Sequence, residues 1–256
     1  MSAASPAEIA RRAITLLDLT ELGDEATPDD VAALCSRAVG RHGTVAAVCV
    51  WPRHVSLAKR VLAGTSVRIA TVVNFPGGND AIDDVVALTT EALAEGADEI
   101  DVVLPYAAFS SGERTKAEAM LAAVRAAVPA PHVLKVILET GELQRPDSIR
   151  AAATLAVANG ADFIKTSTGK TPRSASLDAT EIMLDVIHGA GRPVGLKPSG
   201  GIRTLADATA YLDQADRAMG AGWATPSTFR FGASGLLTAL EAALDGDATA
   251  TSKGAY

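Results

Sequence analysis

The stretch DSIRAAATLAVANGADFIKTS, residues 147–167, contains one complete helix-to-strand unit. Residues 147–159 carry apolar side chains at helical spacing, with Asp147 after Pro146 as the predicted N-cap and Gly160 as the stop. FIKTS, residues 163–167, then reads as a short buried strand. The joint Gly-Ala-Asp occurs twice, at 96–98 and 160–162, each time between a helical stretch and a β-branched run. A glycine that ends a helix in a left-handed turn, with a strand directly after it, marks a repeating βα unit.

Working outward, the same alternation covers the chain. The predicted strands are AAVCVW (46–51), VRIATVVNF (67–75), EIDVVL (99–104), VLKVILE (133–139), FIKTS and PVGLK (193–197). They recur about every 20 to 35 residues, the repeat length of a parallel sheet. Their near-continuous hydrophobicity fits strands buried on both faces. Helices are predicted over 83–95, 116–128, 147–159 and from 204 to 212. Two more strands are needed to close eight, and 215–221 (ADRAMGA) and 228–231 (TFRF) are the candidates. The expected fold is α/β: a single (β/α)8 TIM barrel spanning 1–256. Residues 1–22 form an N-terminal capping helix region in this reading, and 245–256 a short mobile tail. A doubly wound open sheet is the competing architecture, and the first strand lacks the GxGxxG turn it would want.

Composition removes several function classes. Of 256 residues, 48% are hydrophobic and 21% charged, which excludes bulk disorder and leaves ample core material. Aromatics at 4% and a net charge of −7 argue against nucleic-acid and anionic-membrane partners. Cys35 and Cys49 make neither a disulfide framework nor a zinc site. His42, His54, His132 and His188 are scattered without metal-ligand spacing, so no metal is expected. No spanning segment or leader is read, and the expected location is cytoplasmic.

Of 23 basic residues only 7 are Lys, and three of those, Lys135, Lys165 and Lys197, fall inside predicted strands. A lone strand lysine is more often half of a buried ion pair than a reactive group. Lys165 and Lys197 lie near the C-terminal ends of consecutive strands, where barrel active sites collect. Two adjacent lysines in an apolar setting depress each other's charge. At pH 7 a lysine with pKa about 10.4 is only about 0.04% free amine, and a fall of about 3 units raises that roughly a thousandfold. A free amine attacks a carbonyl to give an iminium, an electron sink that lets a neighbouring C–C bond break or form. Asp101, inside EIDVVL, is the candidate proton relay, or else a structural partner of the lysines. The loops KPSGGIR (197–203) and GAS-Gly235 (232–235), with Gly169 and Lys170 nearby, form a late-sector anion site. The helix after Gly200 and Gly201 is expected to point its positive end there.

These motifs resemble one family. FIKTSTGK (163–170), VGLKPSGGIR (194–203), LDLT (17–20), VVNFP (72–76), DEIDVV (98–103), KVILETG (135–141) and FGAS (231–234) are similar to the signatures of deoxyribose-phosphate aldolases. The resemblance runs from Asp18 to Ser234. It implies a cofactor-free, metal-independent class I aldolase that splits 2-deoxy-D-ribose 5-phosphate reversibly into D-glyceraldehyde 3-phosphate and acetaldehyde, in deoxyribose phosphate catabolism. By the same resemblance Lys165 is the Schiff-base lysine, and Asp101 and Lys197 transfer protons. Thr20, Cys49, Lys135 and Thr166 contact substrate. Gly169, Lys170, Gly200, Gly201, Arg203, Gly232 and Ser234 hold phosphate, and the terminal Tyr256 reaches the site. For Cys49, a packed strand thiol is the equal alternative. The implied partners are a sugar phosphate, aldehydes and a second copy of the chain. Three positions depart from the family pattern. Gly235 stands where a second serine is common, Trp51 where a tyrosine is common, and Gly23 where Asn is frequent.

Overall fold

The computed structural model describes residues 4–246. Eight parallel strands form the interior: β1 (Leu17–Glu21), β2 (Ala47–Val50), β3 (Arg68–Val73), β4 (Glu99–Val103), β5 (Val133–Ile137), β6 (Phe163–Lys165), β7 (Gly195–Lys197) and β8 (Phe231–Ala233). They pair in chain order from β1 to β7, with β8 beside β1. The last seam is closed by parallel bridges Leu196–Phe229 and Ser199–Gly232. There the Leu196 N–H donates to the Thr228 carbonyl at 2.9 Å, and the Arg230 N–H to the Leu196 carbonyl at 3.0 Å. The sheet is a barrel and not an open doubly wound sheet.

Alternation along the strands sorts their side chains. Leu17, Leu19, Val48, Val50, Ile69, Ile100, Val102, Leu134, Val136, Ile164 and Leu196 join the large core shared with the surrounding helices. Cys49, Ala70 and Val72 form a separate small cluster with Leu22. The charged strand residues Asp18, Glu99, Asp101, Lys135, Lys165 and Lys197 are all buried.

The recurring Gly-Ala-Asp has a physical account. Gly96 and Gly160 take φ of +106° and +82° after the helices Ile82–Ala94 and Pro146–Ala158. The following aspartates then tie down the start of the preceding strand. Asp98 accepts the Ile69 N–H at 2.9 Å, and Asp162 the Leu134 N–H at 2.8 Å. Each repeat thus fixes the register of its strand against the one before.

Several sequence expectations are corrected. The N-terminal helix is only Pro6–Thr15, opened by a Ser5–Glu8 capping box, and residues 17–21 of the expected helix region are β1. The helix packs against Leu205–Met219 and Leu236–Leu244, alongside the seam. Residues 215–219 are not a strand but the end of the helix Leu205–Met219. ADRAMGA has no β-branched residue, and its Ala, Arg and Met favour helix. The eighth strand is Phe231–Ala233, beginning at the end of the expected 228–231. Asp147 lies in the first turn and Arg145 is the N-cap, because Pro146 takes the first helical position. The expected tail begins with Asp245, which ion-pairs with Arg41 and hydrogen-bonds His42. Tyr256 lies outside the described residues. Among those described, no helix is long and apolar enough to cross a membrane.

Candidate active site

Lys165 and Lys197 are register partners and the last residues of β6 and β7, at the C-terminal end of the barrel. Lys135 pairs with Phe163 and Asp101, so it sits one layer lower and the three lysines are not level. All three reach the same carboxylate. Asp101 Oδ1 accepts from Lys135 Nζ at 2.8 Å, and Oδ2 accepts from Lys165 at 3.0 Å and Lys197 at 2.7 Å.

Beneath them lies a second layer absent from the sequence-based candidates. Glu99 pairs with Lys135 at 2.6 Å. Asp18 pairs with Lys197, and Arg230 bridges Asp18 at 2.6 Å and Glu99 at 2.8 Å. Glu99 precedes Asp101 by two residues, and Arg230 precedes Gly232 by two. Side chains two apart on a strand share a face, so Glu99 lies on the Asp101 face and Arg230 on the Gly232 face.

The charges follow from geometry. Burial disfavours ionised Asp101, but Lys135, Lys197 and Lys165 together outweigh it and hold the carboxyl well below the usual range. Burial also opposes the Lys197 ammonium, and Asp101 and Asp18 overcome it, raising its pKa. Lys135 is likewise raised, with Asp101 and Glu99 outweighing burial. Lys165 goes the other way. Burial lowers its pKa, Asp101 only partly offsets this, and Lys197 adds to the fall. Three carboxylates (Asp18, Glu99, Asp101) thus meet three firmly held cations (Lys135, Lys197, Arg230). The cluster is neutral when Lys165 is an uncharged amine, which is the nucleophilic form.

The remaining candidates divide. Cys49 is fully buried beside Ala70 and Val72, and burial raises its thiol pKa. It is an apolar wall rather than a thiolate. The Thr20 hydroxyl donates to the Asp18 carbonyl at 2.8 Å. The Thr166 hydroxyl donates to the Ser199 carbonyl at 3.3 Å and accepts the Ser199 N–H at 3.0 Å, so it ties β6 to β7. Next to it, Ser167 is fully buried and its hydroxyl has no partner among the described residues. The buried Thr140 hydroxyl likewise has no partner among the described residues. Glu139 takes a left-handed φ of +54° and accepts the Thr168 N–H at 3.2 Å, bracing the loop after β6. No local sequence pattern announces these three.

The late-sector loops lie close together, and one expectation about them is corrected. A Cβ on Gly200 would lie 2.6 Å from Ser174 Oγ and 3.2 Å from Gly169 Cα, so the β6 and β7 loops touch there. A Cβ on Gly232 would lie 1.8 Å from Ser199 Oγ and 3.1 Å from Lys197 Cε, so glycine leaves room for the Ser199 hydroxyl and, less tightly, the lysine stem. Gly201 is exposed with open space around it, and Arg203 is exposed. Lys170 Nζ donates to Asp24 of the β1 loop at 2.8 Å. The helix Leu205–Met219 does not offer its N-terminus, because the Thr204–Asp207 capping box closes it. The open one is Leu236–Leu244, which starts at Gly235 without a side-chain cap. Beside it the buried Ser234 hydroxyl has no partner among the described residues. An uncapped helix start and an unsatisfied hydroxyl suit an anion.

Among the described residues, no group of three or more His, Cys, Asp or Glu side chains is placed to hold a metal ion.

Comparison with known proteins identifies the family. The model of the DeoC/LacD family aldolases matches residues 12–242. A deoxyribose-phosphate aldolase from Agrobacterium fabrum (strain C58) is 49% identical over 252 residues, covering 98% of this chain and 97% of that relative. A Toxoplasma gondii ME49 crystal structure, assigned as a deoxyribose-phosphate aldolase, aligns with TM-score 0.84 at 27% identity over 94% of this chain and 95% of that one. The tetrameric deoxyribose phosphate aldolase of Aeropyrum pernix aligns with TM-score 0.72 at 26% identity, covering 93% of this chain and 92% of that one.

Proposed function

The chain belongs to the DeoC/LacD family of aldolases, and from that premise we propose that it cleaves 2-deoxy-D-ribose 5-phosphate reversibly through a Schiff base on Lys165. Lys165 supports this assignment because it is the one amine in a seven-member charged cluster that burial and charge balance favour as neutral. It attacks C1 of the open-chain aldehyde, and loss of water gives the iminium. The C3 hydroxyl then gives up its proton, and the C2–C3 bonding pair flows to the iminium. D-Glyceraldehyde 3-phosphate departs and leaves an enamine. Protonation at C2 and hydrolysis release acetaldehyde and restore Lys165.

Lys197 is held as an ammonium by Asp18 and Asp101. In the resting enzyme it keeps Lys165 neutral and presents a donor to developing oxyanions. Asp101 stays ionised, so it moves protons through a bridging water or a lysine that shares it. The phosphate is assigned to the β6, β7 and β8 loops and the start of Leu236–Leu244, with Ser234, and Ser167 takes over the contact expected of Thr166. Lys135 is assigned to orienting Asp101 and not to substrate contact.

Gly235 has φ −87° and ψ −17°, a backbone open to any L-residue. Serine there adds a hydroxyl without backbone strain. Gly235→Ser should lower KM for the phosphorylated sugar by up to about 10- to 100-fold, the effect of one charge-assisted hydrogen bond of about 1.5 to 3 kcal/mol. It should do little for unphosphorylated deoxyribose. Equal changes on both sugars would show that the residue does not meet phosphate.

The decisive assay follows acetaldehyde release from 2-deoxy-D-ribose 5-phosphate with and without a chelator. Release that is insensitive to the chelator is expected. No release, or release that the chelator stops, would replace this assignment with a different aldehyde pair or a metal-dependent route. We further assign the enzyme to cytoplasmic deoxyribose phosphate catabolism and, as a homodimer, to self-assembly.

A further inference from the structure

We propose that Arg230, at the opposite end of the barrel from the substrate side, is a positioning residue that sets the protonation of Lys165 through the shared carboxylates of the interior. The inference rests on Lys165 being the Schiff-base lysine.

Arg230 and Glu99 line a cavity of about 650 Å³ together with Arg68, Val133, Phe163 and Pro193, residues at or before the N-terminal ends of their strands. Arg230 is 4% exposed, and its guanidinium lies 5.6 Å from the Phe163 ring centroid, below Lys165 on β6. It makes no direct link to Lys165; the link runs through competition for carboxylate oxygens. Asp18 is divided among Arg230 at 2.6 Å, Lys197, and Lys135 at 3.8 Å. Glu99 is divided between Arg230 at 2.8 Å and Lys135 at 2.6 Å, with the half-exposed Arg68 more distant at 3.9 Å. Asp101 receives whatever Lys135 and Lys197 leave over, and Asp101 is the only carboxylate bonded to Lys165 among the described ion pairs.

Without Arg230, Asp18 and Glu99 draw Lys197 and Lys135 toward themselves. Asp101 is then freed for Lys165, and its ammonium form is stabilised. The other titratable groups acting around Lys165 are Cys49 on β2 and Glu139 after β5. Neither is bonded to Arg230, so neither transmits this effect. Because only the free amine attacks, the acid limb of kcat/KM falls as Lys165 becomes protonated. A stabilised ammonium moves that limb to higher pH.

The test is the pH dependence of kcat/KM and of borohydride trapping with acetaldehyde, in four variants. Arg230→Gln should move the acid limb up by about one pH unit, the effect of one charge at roughly 10 Å across an effective dielectric near 20. Arg230→Lys keeps the charge and should return the limb to within a few tenths of wild type. Glu99→Gln removes an anion and should move it down. The double variant Glu99→Gln with Arg230→Gln restores the balance and should restore the profile. A purely structural Arg230 would lower kcat/KM at every pH and leave the limb in place, which would overturn the proposal. If Arg230→Gln does not fold, the direction seen in Glu99→Gln decides, and a limb that stays or rises there is equally fatal. Absence of a trapped adduct on wild-type Lys165 would instead refute the Schiff-base assignment beneath it, so the two failures are distinguishable.

Discussion

Lys165→Met removes aldol cleavage, by roughly 10⁴- to 10⁶-fold, the scale on which loss of a covalent nucleophile is felt. The substitution keeps the length and apolar character of the stem. It also leaves Asp101 with two of its three cations, Lys135 and Lys197, so the barrel keeps its ion pairs. The melting profile should therefore stay close to wild type while turnover disappears, which separates chemistry from folding. In the unaltered enzyme, borohydride added with acetaldehyde should fix an ethyl group on one lysine, and peptide mapping should place it at Lys165. An adduct on Lys197 or Lys135 would contradict the charge argument directly. Lys197 is held cationic by two carboxylates and Lys135 lies a layer deeper, so neither offers a free amine at the C-terminal mouth. Substantial cleavage by Lys165→Met would point the same way.

The sequence displayed the repeat and the upper layer of the site clearly, and their physical reasons are the same. A lysine or aspartate between β-branched residues is conspicuous because buried charge is costly, so Asp101, Lys165 and Lys197 stand out one at a time. The lower layer was less visible. Glu99 looks like a strand-start residue that solvent could reach, and Arg230 lies in TFRF, before a strand of only three residues. Their burial depends on facing each other across the barrel, which a local window does not register. β1 is hidden for a related reason. Its five residues follow a helix after one connecting residue, Leu16, with no glycine or proline to mark the joint, and helical periodicity runs into it. The phosphate side shows the limit of turn chemistry. Gly200 and Gly201 do mark a left-handed turn, but the helix behind them is closed by Asp207, and only tertiary placement brings the open helix start at Gly235 to the same corner.

Asp101→Asn should separate imine formation from the steps that follow it. Asparagine keeps the shape but turns an amide NH₂ toward ammonium donors and removes the charge that three lysines share. Lys135 keeps Glu99 and Lys197 keeps Asp18, so each retains one carboxylate. Breaking a buried ion-pair set in this way costs on the order of 3 to 5 kcal/mol, and a clearly lower melting temperature is expected. Lys165 loses the only anion bonded to it among the described ion pairs and becomes more acidic, so a larger fraction is free amine at a given pH. Trapping with borohydride and acetaldehyde should therefore still reach Lys165. Turnover depends on moving protons at the C3 oxygen and at C2, and it should fall by about 10²-fold or more. Exchange of the acetaldehyde methyl protons with deuterated water, which reports iminium–enamine interconversion alone, should fall in parallel. Normal exchange with lost turnover would confine Asp101 to the C–C bond step. Loss of trapping altogether would mean that Asp101 is needed to place Lys165 and not to move protons, because the amine would then be free but misdirected.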